Sequence, residues 1–193
     1  MSDEQKTSLS LSSLLSRFVR TAKEEASASD VDVAMMRRAM ALGESAWKAN
    51  DEVPVGAVIT LDGQVIAEGV NSRESLRDPT GHAEIAAIRQ AADHVGDWRL
   101  TGCTLYVSLE PCPMCAGAVV NARIDRLVYG AYDPKMGCVD SLYTLCTESR
   151  FNHRLDVTGG VLGDECGALL KSFFRERRRS NRDRKRAADA DQS

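Results

Sequence analysis

The sequence predicts an α/β fold built on a mixed five-stranded sheet, and three observations carry that expectation. Two β-type runs, Val55 to Thr60 and Val65 to Val70, flank Asp62-Gly63, a strong short-range hairpin signal, so the sheet opens with an antiparallel pair. After the hairpin, helical and strand-like segments alternate, and strands separated by single helices favour parallel pairing with right-handed crossovers. At 193 residues the chain is one ordinary domain with room for a tail at each end, long enough to bury a sizeable core without staples.

The elements follow in order. Residues 1–31 are Ser-rich and mixed in charge and read as a flexible N-terminal extension. Its apolar knot, Leu14-Leu15-Ser16-Arg17-Phe18-Val19, suits a helical turn or two, and Asp3, Glu4, Glu24 and Glu25 argue against a transit peptide, which avoids acids. From Asp32, the residues Val33, Met36, Met40 and Trp47 fall on one helical stripe that ends near Asn50, before Pro54. The hairpin comes next. Asp78-Pro79-Thr80-Gly81 then offers Thr80 as the N-cap of a helix carrying Ile85, Ile88, Ala92 and Val95 as far as Gly96. Thr104 to Leu109 is a strand, after which Pro113 suits a first helical position and Cys112 a cap, with the helix running to about Ala122. Leu127 to Tyr129 and Leu155 to Thr158 supply the last two strands. A final helix from near Asp164 bears Leu169, Leu170, Phe173 and Phe174 on its apolar face, so the expected domain is 32–180, followed by a polar tail at 181–193.

Composition narrows the function classes. Six cysteines in a chain of this size do not form a secreted framework; Cys103, Cys138, Cys146 and Cys166, scattered within apolar stretches, read as reduced thiols in a reducing compartment, and no stretch approaches the roughly 20 apolar residues of a membrane helix. The expectation is a cytoplasmic protein with no membrane partner. The formal charge is −3, yet residues 171–186 hold nine Lys or Arg against Glu176 and Asp183, a local +7. Such segregation favours contact with nucleic acid phosphates.

Two short pieces carry chemistry: His82-Ala83-Glu84 and Pro111-Cys112-Pro113-Met114-Cys115. His82, Cys112 and Cys115 are three good zinc ligands, and a closed structural site would need a fourth, so the expected metal is one catalytic zinc ion per chain with water in the open position. Glu84, beside that position, is the expected general base. The cysteines fall at a helix N-terminus, whose partial positive charge favours thiolate. A C-x-x-C pair alone fits a redox pair, half of a structural zinc site, or two buried thiols. An upstream H-x-E narrows the choice, because H-x-E followed by P-C-x-x-C is the signature of zinc-dependent nucleobase deaminases.

The stretches His82-Ala83-Glu84-Ile85, Leu109-Glu110-Pro111-Cys112-Pro113-Met114-Cys115-Ala116-Gly117-Ala118, Ala122-Arg123-Ile124, Tyr129-Gly130-Ala131-Tyr132-Asp133-Pro134-Lys135, Asn152-His153-Arg154 and Phe173-Phe174-Arg175 closely resemble the bacterial tRNA-specific adenosine deaminases. The resemblance covers about residues 33 to 180. It implies a three-layer α/β/α cytidine deaminase-like fold, hydrolysis of the wobble adenosine of a tRNA anticodon to inosine with release of ammonia, and a homodimer. Residue by residue, it implies that Asn71 recognises the purine edge, that Ala83 lines the base site, and that Asp133, Lys135, His153, Phe174 and Arg178 meet the anticodon stem-loop. Cys138-Val139-Asp140 departs from the family pattern, and His94 reads as a helix-end surface residue. Rival readings are a free-base deaminase such as a guanine deaminase, a cytosine-type deaminase, and a non-catalytic RNA-binding module that keeps zinc for structure.

Overall fold

The structure, a computed structural model, describes residues 28–191, so the expectations for the first 27 residues lie outside it. Among the described residues the elements are α1 (Asp30–Asn50), β1 (Gly56–Leu61), β2 (Gln64–Val70), α2 (Ala83–Val95), β3 (Cys103–Leu109), α3 (Pro113–Asn121), β4 (Arg126–Ala131), a 3₁₀ turn (Leu145–Thr147), β5 (Asp156–Thr158) and α4 (Gly163–Asp191). The sheet is mixed, in the order β2-β1-β3-β4-β5. β1 pairs antiparallel with both β2 and β3, while β3, β4 and β5 run parallel. Asp62 and Gly63 both take positive φ, as the two central residues of a type I′ hairpin require.

Side chains alternate across the sheet and build two cores. Ala57, Ile59, Leu105, Val107, Leu127 and Tyr129 face α2 and α3, where Ala83, Ala87, Ala91, Ala116 and Val119 complete one core. Val58, Tyr106 and Val128 face the opposite way, into the core with Met36 and Ala39 of α1 and Cys166 of α4. Burial on both faces makes three layers, and it explains why the strands read as nearly continuous apolar runs.

Several expectations shift once the layers are in place. The buried stripe of α1 is Met36, Ala39, Gly43 and Ala46, with Val33, Met40 and Trp47 only half-buried, because the helix lies close enough for Gly43 to touch the Pro54 backbone. The helix also starts earlier, at Asp30, where Ser29 and Asp32 form a reciprocal capping box and Arg126 grips Asp32 at 2.7 and 2.9 Å. Thr80 is not the cap of α2; it sits in a turn closed by Asp78 Oδ1, and His82 takes the cap position. Asp78 is a stronger local hydrogen-bonding competitor than a helix start three residues on. On α4, Phe173 is buried against Trp47, whereas Phe174 is 45 % exposed. That helix continues without a break through the residues read as a polar tail, as far as Asp191.

Candidate active site

The site forms where two helices start. His82 caps α2, Glu84 lies in its first turn, Cys112 caps α3 behind Pro113 at the first helical position, and Cys115 follows in the same first turn. α2 follows β2 and α3 follows β3, so both starts lie at carboxyl ends of strands. The alternation of strands and single helices predicts that β2 and β3 pair in parallel, but β1 lies between them. β1 runs antiparallel, so its amino end, with Val55 just ahead of it, reaches the same edge and becomes a wall of the site. Gly69 of β2 sets the separation, since a methyl group there would meet the Ala83 carbonyl and lie 2.7 Å from the Ala87 nitrogen.

One donor atom each from His82, Cys112 and Cys115 lies within 4.8 Å of the others, a group able to hold a metal ion. His82 Nδ1 is 3.6 Å from Cys112 Sγ and 3.5 Å from Cys115 Sγ. One imidazole and two soft sulfurs suit zinc and disfavour magnesium or calcium, which take oxygen ligands. The groups also bias one another's protons. A hydrogen bond from Cys115, followed by one from His82, holds the Cys112 thiol down at about 4 despite burial. The same Cys112–Cys115 bond and burial push the Cys115 thiol far up, and the bond to Cys112 raises the His82 imidazole. Glu84, 4 % exposed, has its carboxyl pushed up by burial, as a proton acceptor working near neutral pH requires.

A pocket of about 550 Å³ opens over these groups. Its lining includes Asn71, Ala83, Glu84, His82, Cys112 and Asp133 of the expected residues, together with Val53, Val55, Arg73 and Met136, which the sequence did not single out. Asp133 is not paired with the Lys135 side chain; its Oδ1 accepts the backbone N–H groups of Lys135 and Met136 and so shapes the turn. Lys135, Phe174 and Arg178 are exposed and outside the pocket lining, and the half-buried His153 is tied to the Ile124 carbonyl at 2.7 Å.

Two buried acids had been given no role. Glu52 takes Asn71 Nδ2 and the Ser75 N–H, while Glu110 takes the backbone N–H groups of Asp133, Val139, Asp140 and Ser141. The signal for Glu110 was its place two residues before a ligand, and it anchors the loop at Cys138-Val139-Asp140 through the Val139 and Asp140 N–H groups, with Cys138 and Val139 fully buried. Nothing local marks Glu52.

A family model described as MafB19-like deaminase matches residues 30–178. The chain is 51% identical over 131 residues to a tRNA-specific adenosine deaminase of Bacillus subtilis (strain 168), across 68% of this chain and 81% of the relative. It is similar, with a TM-score of 0.67 and 46% identity, to a structure from a study of A-to-I editing by tRNA:A34 deaminases at the wobble position of transfer RNA, across 70% of this chain and 98% of that one. A guanine deaminase structure from Bacillus subtilis is 44% identical with a TM-score of 0.50, across 51% and 63%. At 51% identity the Bacillus subtilis tRNA-specific adenosine deaminase matches more than two thirds of this chain and about four fifths of its own length, and the chain therefore belongs to the tRNA-specific adenosine deaminase family.

Proposed function

We propose that the protein is a zinc-dependent hydrolase that converts adenosine to inosine at the wobble position of a tRNA anticodon, releasing ammonia. The observation that carries this reading is the convergence of His82, Cys112 and Cys115 within 4.8 Å beside the buried Glu84, with His82, Glu84 and Cys112 lining a pocket of about 550 Å³. Held by those three residues, one zinc ion per chain supplies a Lewis acid that makes water a nucleophile near neutral pH.

The chain's own residues do the rest. Glu84 accepts a proton from the attacking water and passes it to the purine ring as C6 becomes tetrahedral, then takes the proton of the new C6 hydroxyl and delivers it to the amine as the C6–N bond breaks, so adenosine and water become inosine and ammonia. Asn71 meets the purine edge, and Ala83, first in α2, offers a backbone N–H with no intrahelical partner. An anticodon loop already has splayed bases, which makes extrusion into the pocket cheap compared with a duplex. Asp133 borders the base site, while Lys135, Phe174 and Arg178 meet the surrounding loop as exposed cation, stacking and phosphate contacts. His153 acts through its tie to Ile124, positioning its segment. The reading also takes the residues ahead of α1 as an extension of the deaminase domain and the protein as a cytoplasmic homodimer; exposed Leu142 and Tyr143, a few residues after the pocket-lining Met136, supply apolar surface for a second copy.

The test is mass analysis of nucleosides from tRNA incubated with the zinc-loaded protein. Inosine should appear in the anticodon, and Glu84→Ala should keep its zinc while losing turnover. Deamination of free guanine or cytosine with no change in the tRNA would overturn the substrate, and loss of zinc from Glu84→Ala would overturn the acid/base role.

A further inference from the structure

Glu52 is fully buried in the segment between α1 and β1, and no step of the proposed reaction uses it. Both of its carboxylate oxygens are engaged: Oε1 accepts the Ser75 N–H at 2.7 Å and Oε2 accepts Asn71 Nδ2 at 2.8 Å. Burial pushes the Glu52 carboxyl up, but the donors of Ser75, Glu74 and Asn71 outweigh it and hold the group below the usual carboxylate range. At neutral pH it only accepts hydrogen bonds. Asn71 must therefore turn its NH₂ toward Glu52, because the flipped amide would set oxygen against oxygen. The backbone is held as well, with the Asn71 N–H on the Val55 carbonyl at 3.0 Å. Among the described residues Asn71 Oδ1 takes no donor and no buried side-chain polar atom lacks a partner, so this oxygen is open to the pocket that Asn71 lines. What faces a base is one acceptor and one remaining N–H.

We propose that Glu52 is a specificity-positioning residue that locks the Asn71 amide in the orientation complementary to the amino-and-N7 edge of a 6-aminopurine and mismatched to the 6-oxo product. Adenine shows an N6–H donor beside the N7 acceptor, the pattern an Asn amide pairs with in two hydrogen bonds. After deamination O6 stands where the amine stood, and Asn71 Oδ1 faces another acceptor. The reaction inverts the polarity of the purine edge while Glu52 prevents the protein from following, so substrate is held and product is shed. This inference rests on the reading above that Asn71 meets the purine.

The test is binding, measured in a zinc-loaded Glu84→Ala parent that does not turn over, with synthetic anticodon stem-loops carrying either adenosine or inosine at the wobble position. The parent should bind the adenosine loop more tightly, by on the order of tenfold. Equal binding in the parent overturns the proposal without recourse to any Glu52 variant. Adding Glu52→Gln keeps an acceptor for Ser75 but aims an NH₂ at Asn71, which must rotate; the preference should vanish or reverse. A role confined to packing would weaken both loops alike, so an unmoved ratio in this variant overturns the proposal. Asn71→Ala separates the two levels of inference. If it erases the preference that Glu52→Gln leaves intact, Asn71 reads the base and Glu52 does not set its polarity; if the preference survives Asn71→Ala, the reading of Asn71 itself is wrong.

Discussion

The Glu110 carboxylate draws the backbone N–H groups of Asp133, Val139, Asp140 and Ser141, and the Ser141 hydroxyl, onto one buried charge at the end of β3. Burial raises its pKa, but the Ser141 hydroxyl and these N–H donors outweigh burial and hold it below the ordinary 4.5. A depressed folded-state value means that the stabilisation is complete above the unfolded pKa and is lost as pH falls through the folded one. Glu110→Gln leaves at least one buried donor facing an NH₂, at a cost of about 1–3 kcal/mol. Urea denaturation at pH 7 should show that full deficit. It should narrow progressively below about pH 4.5, where the wild type gives up its own advantage. A deficit that stays constant down to acid unfolding would mean that ionised Glu110 does not hold the loop.

At the scale of elements, the site depends on how closely α2 approaches β2, and Gly69 sets that distance. Gly69→Ala would force the first turn of α2 away from the sheet and carry His82 and Glu84 with it, at about 1–3 kcal/mol for an overpacked contact against backbone that has no rotamer to change. Zinc retained after dialysis, read beside the melting temperature, should fall. Gly117 in α3 makes a matched control, because nothing lies within 4 Å of a methyl group placed there. Gly117→Ala should keep the metal and leave stability unchanged or raised by up to about 1 kcal/mol. Full zinc content in Gly69→Ala would show that the helix start tolerates the displacement.

For the whole molecule, the question is which part of the basic α4 meets RNA. Arg177 is already engaged: it donates to the Asp51 carbonyl at 3.3 Å and lies over the Phe173 ring, so it helps hold the segment that leads to Glu52. Arg178, Arg179 and Arg182 are exposed. Replacing these three with Gln should weaken binding of a tRNA and flatten its logarithmic salt dependence by about 1.4 if two phosphate contacts are lost, since each contributes roughly 0.7 on single strands. Turnover at saturating RNA should stay near the parent value, because contacts made equally in ground and transition states alter affinity alone. An unchanged salt slope would remove α4 as a phosphate track.

The sequence by itself determined the order of the elements, the hairpin at Asp62-Gly63 and the group His82, Glu84, Cys112 and Cys115. Each of these is written in local terms: periodicity, turn residues, and ligand types at short spacing. Only the tertiary structure decided that β1 inserts between β2 and β3, because local periodicity does not say which edge a crossover returns to. The same holds for the residues that support the site. Glu52 and Asn71 lie nineteen residues apart and meet only because β1 and β2 form a hairpin behind α1, and Glu110 gathers donors from up to thirty-one residues away. A buried carboxylate leaves no mark in sequence periodicity that separates it from a solvated one; its role is set by which N–H groups the folded chain brings within hydrogen-bonding distance.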